Sequence, residues 1–166
     1  DMNRPLVTVD LAPHLSDFLY HEFKQDKRTG ELLIDGSNDI GRFIQALITV
    51  SDRPRKQEIK DSPLTLTLPV QEWTHAIFTE NFIFIPEWKQ KQLRLYVEAQ
   101  FRLRLREFFF VGYSKGLKQD AIINAFLEHY NIKNNALNYD TVKKYDYRFR
   151  RKMKTVIGED IASLCS

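Results

Sequence analysis

The 166-residue sequence has a single cysteine, Cys165, and so can build neither a disulfide scaffold nor a cysteine-based zinc site from one chain. Glycine is scarce as well. The six glycines are isolated, and neither Gly-x-Gly nor Gly-Lys-Ser/Thr occurs, which excludes the backbone cradles that hold nucleotide phosphates. Gly-x-Ser-x-Gly is missing, so there is no nucleophile elbow. No apolar run approaches the roughly 18 to 20 residues of a membrane span; the longest aromatic cluster is Phe108-Phe109-Phe110-Val111, preceded by Arg106-Glu107. The first residues lack a basic stretch followed by an apolar one, so no signal peptide is expected and a cytoplasmic protein is the expectation. What is present is 43% hydrophobic and 13% aromatic, too apolar for a disordered tail. The length suits one domain, or one with a small appendage.

The net charge of +3 hides a polarity. Residues 1–86 hold 9 basic and 13 acidic side chains, whereas residues 87–166 hold 16 and 9. Such an asymmetry points the second half toward an anionic partner.

Hydrophobic periodicity divides the chain in the same place. Pro5 to Leu11 alternates around Val7 and Val9, which predicts a strand. Pro13 opens a helix with Leu15, Phe18, Leu19 and Phe23 on one side, and residues 25–30 read as a turn. Leu32-Leu33-Ile34 predicts a second strand. Asn38 or Asp39 then caps a helix carrying Ile40, Phe43, Ile44, Leu47 and Ile48. A polar stretch from Ser51 to Ser62 reads as a loop, followed by strands at Leu64–Leu68 and Phe82–Ile85. Beyond Pro86 the pattern becomes helical over about 87–111, and Gly116 serves as its C-cap. Within it, Arg102 and Arg106 share an outer face, while Arg104 falls near the centre of the apolar arc and calls for an internal salt bridge. A further helix is expected over 118–132. The fold class is therefore α+β: an α+β domain at 1–86, a long connecting helix at 87–116, and a helical unit at 117–166.

The most informative segment is 139–156. Tyr139, Val142, Tyr145, Phe149, Met153 and Val156 recur at spacings of 3 and 4 and form one stripe of a helix. Lys144, Tyr147, Arg148, Arg151 and Lys154 point away from it, with Thr141 at its edge and Lys143 beside it. Residues 138–154 carry seven basic and two acidic side chains. A one-signed helix face neutralises phosphates, and its arginines match guanine O6/N7 in a major groove. A structural surface helix normally mixes its signs at i±4.

Ala121-Ile122-Ile123, Phe126-Leu127, a turn, and then Thr141-Val142-Lys143-Lys144-Tyr145 through Arg148 and Arg151-Lys152-Met153 resemble the helix-turn-helix of bacterial DNA-binding regulators. The resemblance covers about residues 118–155. It implies that the second helix enters the major groove of double-stranded DNA, with Thr141, Lys143, Lys144, Tyr147, Arg148, Arg151 and Lys154 as contact residues, and that a homodimer reads paired half-sites. The sequence departs from the family in having several more residues between Ile132 and Thr141 than its tight turn has. Val7-Thr8-Val9-Asp10-Leu11 before a Pro-started helix is similar to ribbon-helix-helix regulators, but a strand separates the two helices here and Asp10 repels phosphate.

Little else carries chemistry. His14, Asp17 and His21 share one helix side, yet lack the HxxxH or ExxH spacing of a metal pair, and His75 and His129 stand alone. No catalytic residue, metal or cofactor is expected. The expected function is a non-enzymatic DNA-binding protein, a regulator or a mobile-element protein. The alternative is a protein-interaction or phage-type assembly module whose basic helix meets an acidic protein; a nucleic-acid enzyme with a scattered acidic site is a third. A positive surface continuing from the 141–154 helix to Arg102 and Arg106 favours nucleic acid.

Overall fold

The computed structural model describes residues 4–56, 59, 62–69, 77 and 80–165, with the side chains of 156 and 157 left aside. His75 lies outside the described residues. The fold is α+β, with its strands before residue 86 and helices dominating after it. The chain packs as two compact units, residues 1–99 and 100–166.

In the first unit, β1 (Leu6–Asp10), β2 (Lys24–Gln25), β3 (Leu32–Leu33) and β5 (Pro63–Thr67) form one sheet in the order β1-β5-β3-β2. The β1/β5 and β2/β3 pairs are antiparallel, and β3/β5 is parallel. A parallel pair needs a crossover, and helix α2 (Asp39–Leu47) lies in the connection from β3 to β5. Alternation fixes the register: Val7 opposes Leu66 and Val9 opposes Leu64, and all four are buried. Helix α1 (Pro13–Glu22) starts at its proline and buries Leu15, Phe18 and Leu19. Asn38 is the residue that caps α2, its side-chain oxygen accepting from the Gly41 amide at 2.8 Å. A Cβ at Gly41 would fall 1.8 Å from the carbonyl oxygen of Asp35, so no side chain fits there.

Two elements of this unit differ from expectation. Residues 26–30 turn as expected, with the Gly30 amide donating to the Asp26 carbonyl at 2.8 Å, but strand β2 takes Lys24 and the first residue of the expected turn, Gln25, because a pair without apolar alternation becomes a strand only by pairing with Leu32-Leu33. Strand β4 (Thr49–Ser51) falls between the expected helix and loop, and pairs with β6 (Phe82–Phe84) in a separate two-stranded sheet. Ile48 ends α2 with an extended backbone, as befits the β-branched run Ile48-Thr49-Val50.

Helix α3 (Glu87–Ser114) runs through the boundary between the units. Near its start Gln90 is buried, donates to the Ile85 carbonyl at 3.0 Å and accepts from the Asp10 amide at 3.3 Å. A buried amide with both ends bonded fixes where the helix begins on β1. The buried positions of α3 include Leu93, Val97, Phe101, Leu105 and Phe109. Spacing of 4 on a 3.6-residue helix turns the buried face steadily around the axis. For that reason Arg104 leaves the apolar arc: it is paired as expected, with Glu107 at 3.1 Å, but at the exposed surface and not inside the core.

The second unit comprises the rest of α3, α4 (Gln119–His129), α5 (Ala136–Lys152), one π-helical turn (Met153–Ile157) and α6 (Gly158–Cys165). Phe101, Ile122, Ile123, Phe126, Leu127 and Val142 form its core. Phe126 meets the edges of Phe101 and Phe108 at centroid distances of 5.3 and 5.2 Å. Helices α3 and α4 end alike. Gly116, at φ +76°, and Asn131, at φ 52°, adopt the left-handed conformation after them. Leu117 N then bonds Gly112 O at 3.0 Å, and Ile132 N bonds Leu127 O at 2.8 Å. This closure satisfies the orphan carbonyls, and it ends α4 three residues before the expected Ile132. Six residues, 130–135, separate α4 from α5, which begins earlier than Tyr139 because Asn135 accepts from the Asn138 amide. Among the described residues no helix is long and apolar enough to cross a membrane.

Candidate nucleic-acid interface

The inner side of α5 is less apolar than its stripe suggests. Val142 is buried, Tyr139, Tyr145 and Phe149 are half-buried, and Met153 is exposed. The other buried side chain is Asp146, only 2% exposed. Its Oδ2 accepts from Tyr113 Oη at 2.9 Å and Gln119 Nε2 at 2.7 Å and forms an ion pair with Arg150 Nε at 3.1 Å. Each partner comes from a different part of the unit: the last turn of α3, the start of α4, and the next turn of α5. One carboxylate oxygen thus ties together what the apolar contacts pack. Its other oxygen, Oδ1, is buried without a hydrogen-bond partner. Partial burial, then the hydrogen bond and charge of Asp146, push the Tyr113 phenol up to about 12.

At 100° per residue Asp146 lies inside the arc of Tyr139, Val142, Tyr145 and Phe149. The wheel therefore contained this residue, but a reading of apolar positions alone passes over it.

The basic residues stand on the outer side of α5 and of the π-helical turn that follows it. Lys143, Lys144, Arg148, Arg151 and Lys154 are exposed, as is Tyr147. None of the five cations forms an ion pair with another described residue. Thr141 is half-buried, and its hydroxyl donates to the Leu137 carbonyl at 2.8 Å.

Arg102 and Arg106, one turn apart on α3, reach the flank of α5. The Arg102 guanidinium lies 5.7 Å from the centre of the Tyr145 ring, and that of Arg106 lies 4.5 Å from the centre of Phe149. Such contacts hold a guanidinium in place while its N–H groups remain free to donate. Arg148 and Lys152, at i and i+4 on α5, complete a set of four cations around one cavity of about 200 Å³. Tyr145, Phe149 and Asp146 also line it. Among the described residues none of the four cations is in an ion pair, whereas Arg104 and Arg150 each have a carboxylate partner. Of the seven contact residues expected from the sequence, only Arg148 belongs to this cavity; Thr141, Lys143, Lys144, Tyr147 and Arg151 occupy the remaining surface of α5, and Lys154 lies in the π-helical turn after it.

The histidine side of α1 offers less. Burial pushes His14 below its ordinary value against the raising effect of Glu98, and burial pushes Asp17 up. Among the described residues no three His, Cys, Asp or Glu side chains assemble to hold a metal ion. Compared with protein-family models, curated proteins and solved structures, the chain matches none.

Proposed function

We propose that this chain is a non-enzymatic DNA-binding protein that docks on duplex DNA through α5 and the adjoining arginines of α3. The observation that carries this reading is the gathering of Arg102, Arg106, Arg148 and Lys152 around one cavity with no ion-pair partner among the described residues. Like charges held together raise the energy of the free protein, and an array of phosphates relieves that repulsion. The exposed Lys144, Arg148 and Arg151 extend the positive surface along α5, and Tyr147, 61% exposed, is placed to pack on sugar or base. Such a surface suits a regulator or a mobile-element protein.

Anisotropy of a labelled duplex, titrated at several salt concentrations, tests the reading. Binding weakens steeply as salt rises, and the double substitution Arg148→Ala with Arg151→Ala abolishes it. Equal affinity of the double variant and the parent at one salt concentration overturns the assignment.

A second reading has one observation in its favour. An apolar groove lined by Phe108, Val111, Leu117, Ile122 and Ala125 runs along α3 and α4, and Val111 and Leu117 are exposed. Exposed apolar grooves suit protein partners. A partner that binds the chain without salt sensitivity, and persists in Arg148→Ala/Arg151→Ala, supports this reading over the first.

A further inference from the structure

We infer that the apolar groove along α3 and α4 receives helix α6 of a second copy of this chain, two copies exchanging these helices in a closed dimer. This rests on the reading of the groove as a protein-binding surface and names the protein; it is independent of DNA binding.

Helix α6 has an apolar side that nothing covers. Every residue from Gly158 to Cys165 is exposed, Ile161 by 56% and Leu164 by 86%. At 100° per residue Gly158, Ile161, Ala162, Leu164 and Cys165 share one arc, and Glu159, Asp160 and Ser163 fill the other. So short a helix draws its stability from burying such an arc, and among the described residues nothing packs on it. The groove is the counterpart. Phe108, Val111, Gly112, Leu117, Ile122 and Ala125 line a cavity of about 360 Å³. A Cβ at Gly112 would fall 2.5 Å from Ile122 Cγ1, so α3 meets α4 there through bare backbone.

Charge matches as well. Of the two charged residues that line the groove, Glu107 is answered by Arg104 at 3.1 Å, whereas Lys115 is exposed and has no ion pair among the described residues. Lys118, exposed at the start of α4, adds a second cation at this end. Helix α6 brings Glu159 and Asp160 in its first turn and no basic residue.

Helix direction sets the chain's own α6 aside. Arg102 lies over Tyr145, Arg106 over Phe149 and Arg150 over Tyr113, so α5 runs alongside α3 in the same direction. On the helical wheel the α3 residues that meet α5 stand opposite Glu107, Val111 and Lys115. The chain stays helical through Met153 and Gly158, both at φ −62°, ψ −41°, and so carries α6 roughly 20 Å past Lys152, away from its own groove. The groove and α6 lie at the same end of the unit. A two-fold axis at that end therefore seats both helices at once.

Sedimentation equilibrium of the intact chain, from micromolar to near-millimolar concentration, is expected to give twice the mass of one chain. Leu164→Ser raises the dissociation constant at least about a hundredfold, because one lost aliphatic contact counts twice in the dimer. Val111→Ser with Leu117→Ser acts alike, and Leu137→Ser, at a side chain 75% exposed on α5, leaves the dimer unchanged. Lys115→Glu weakens the dimer, and Glu159→Lys with Asp160→Lys in the same chain restores it. Circular dichroism checks that each variant keeps its helices. A spin label at Ser163→Cys in a Cys165→Ser chain sits on the polar side of α6. Mixed with an isotopically labelled Cys165→Ser chain, it broadens the Val111, Lys115 and Ala125 amides of that other copy.

A chain that stays monomeric throughout overturns the inference alone and leaves the groove to a different protein. A mass that climbs without limit overturns the closed exchange. A dimer that survives Val111→Ser with Leu117→Ser overturns both the inference and the groove as a protein-binding surface. Broadening confined to the spin-labelled chain itself shows α6 folded onto its own groove and overturns the second copy.

Discussion

Arg102, Arg104 and Arg106 alternate along six residues of sequence, yet their surroundings differ, and that difference sets a quantitative expectation. Arg104 is paired with Glu107 at 3.1 Å, whereas Arg102 and Arg106 have no acidic partner among the described residues and line the cavity with Arg148 and Lys152. Each phosphate neutralised by a cation adds about 0.9 to the steepness of log K against log salt. If the four cavity cations each meet one phosphate, they supply a slope of about 3.6, which over a fourfold rise in salt is a loss of about 150-fold in affinity. Arg102→Gln with Arg106→Gln therefore lowers the slope by about 1.8, so the variant loses about 12-fold less affinity than the parent across the same fourfold rise. Arg104→Gln changes the slope little, because its charge is already answered by a carboxylate next to it. Duplex binding followed by anisotropy from low to moderate salt measures all three slopes, and circular dichroism confirms that each variant is folded. Should Arg104→Gln flatten the slope as much as Arg106→Gln does, the effect is one of net charge alone and the site assignment fails.

Other expectations follow from packing and titration. Phe126→Ala removes a fully buried ring with two edge-on aromatic neighbours and costs about 3 to 5 kcal/mol in urea unfolding; a cost below about 1 kcal/mol would contradict its central place in the second unit. Gly116→Ala strains only the left-handed backbone and costs about 1 to 2 kcal/mol, whereas Gly41→Ala brings a Cβ into the Asp35 carbonyl and costs more; a reversed order in the same unfolding assay refutes the packing described around α2. The Tyr113 phenol titrates at about 12 in ultraviolet difference spectra, and Asp146→Asn moves it down toward the ordinary 10. Since the folded value lies above the ordinary one, the stability linked to this phenol is present below pH 10 and lost as the pH rises from 10 to about 12. A Tyr113 that titrates identically in Asp146→Asn removes Asp146 as a cause.

Local pattern was enough for much of the fold. Val7 and Val9 on one side of β1, proline opening α1, and a polar cap before Gly41 each act over a few residues, so their consequences are legible without the rest of the chain. Glycine at 116 also announced the end of α3, because few other residues adopt its conformation. Strands β2 and β4 were hidden for the opposite reason. Lys24-Gln25 and Thr49–Ser51 are too short to show periodicity, and each is extended because another strand pairs with it, across the next turn for β2 and more than thirty residues away for β4.

The candidate site divides along the same line. By itself the sequence determined that α5 has one strongly basic side, because helical geometry alone places Lys144, Arg148 and Arg151 together. Only the tertiary structure decided which arginines of α3 stand beside that side, that Arg104 is taken by Glu107, and that Asp146 is buried with one oxygen holding three partners and the other without a hydrogen-bond partner. The physical reason is range. A helix repeats every 3.6 residues and can be read along the chain, whereas a partner for a charge depends on which helix faces packing brings within hydrogen-bond distance.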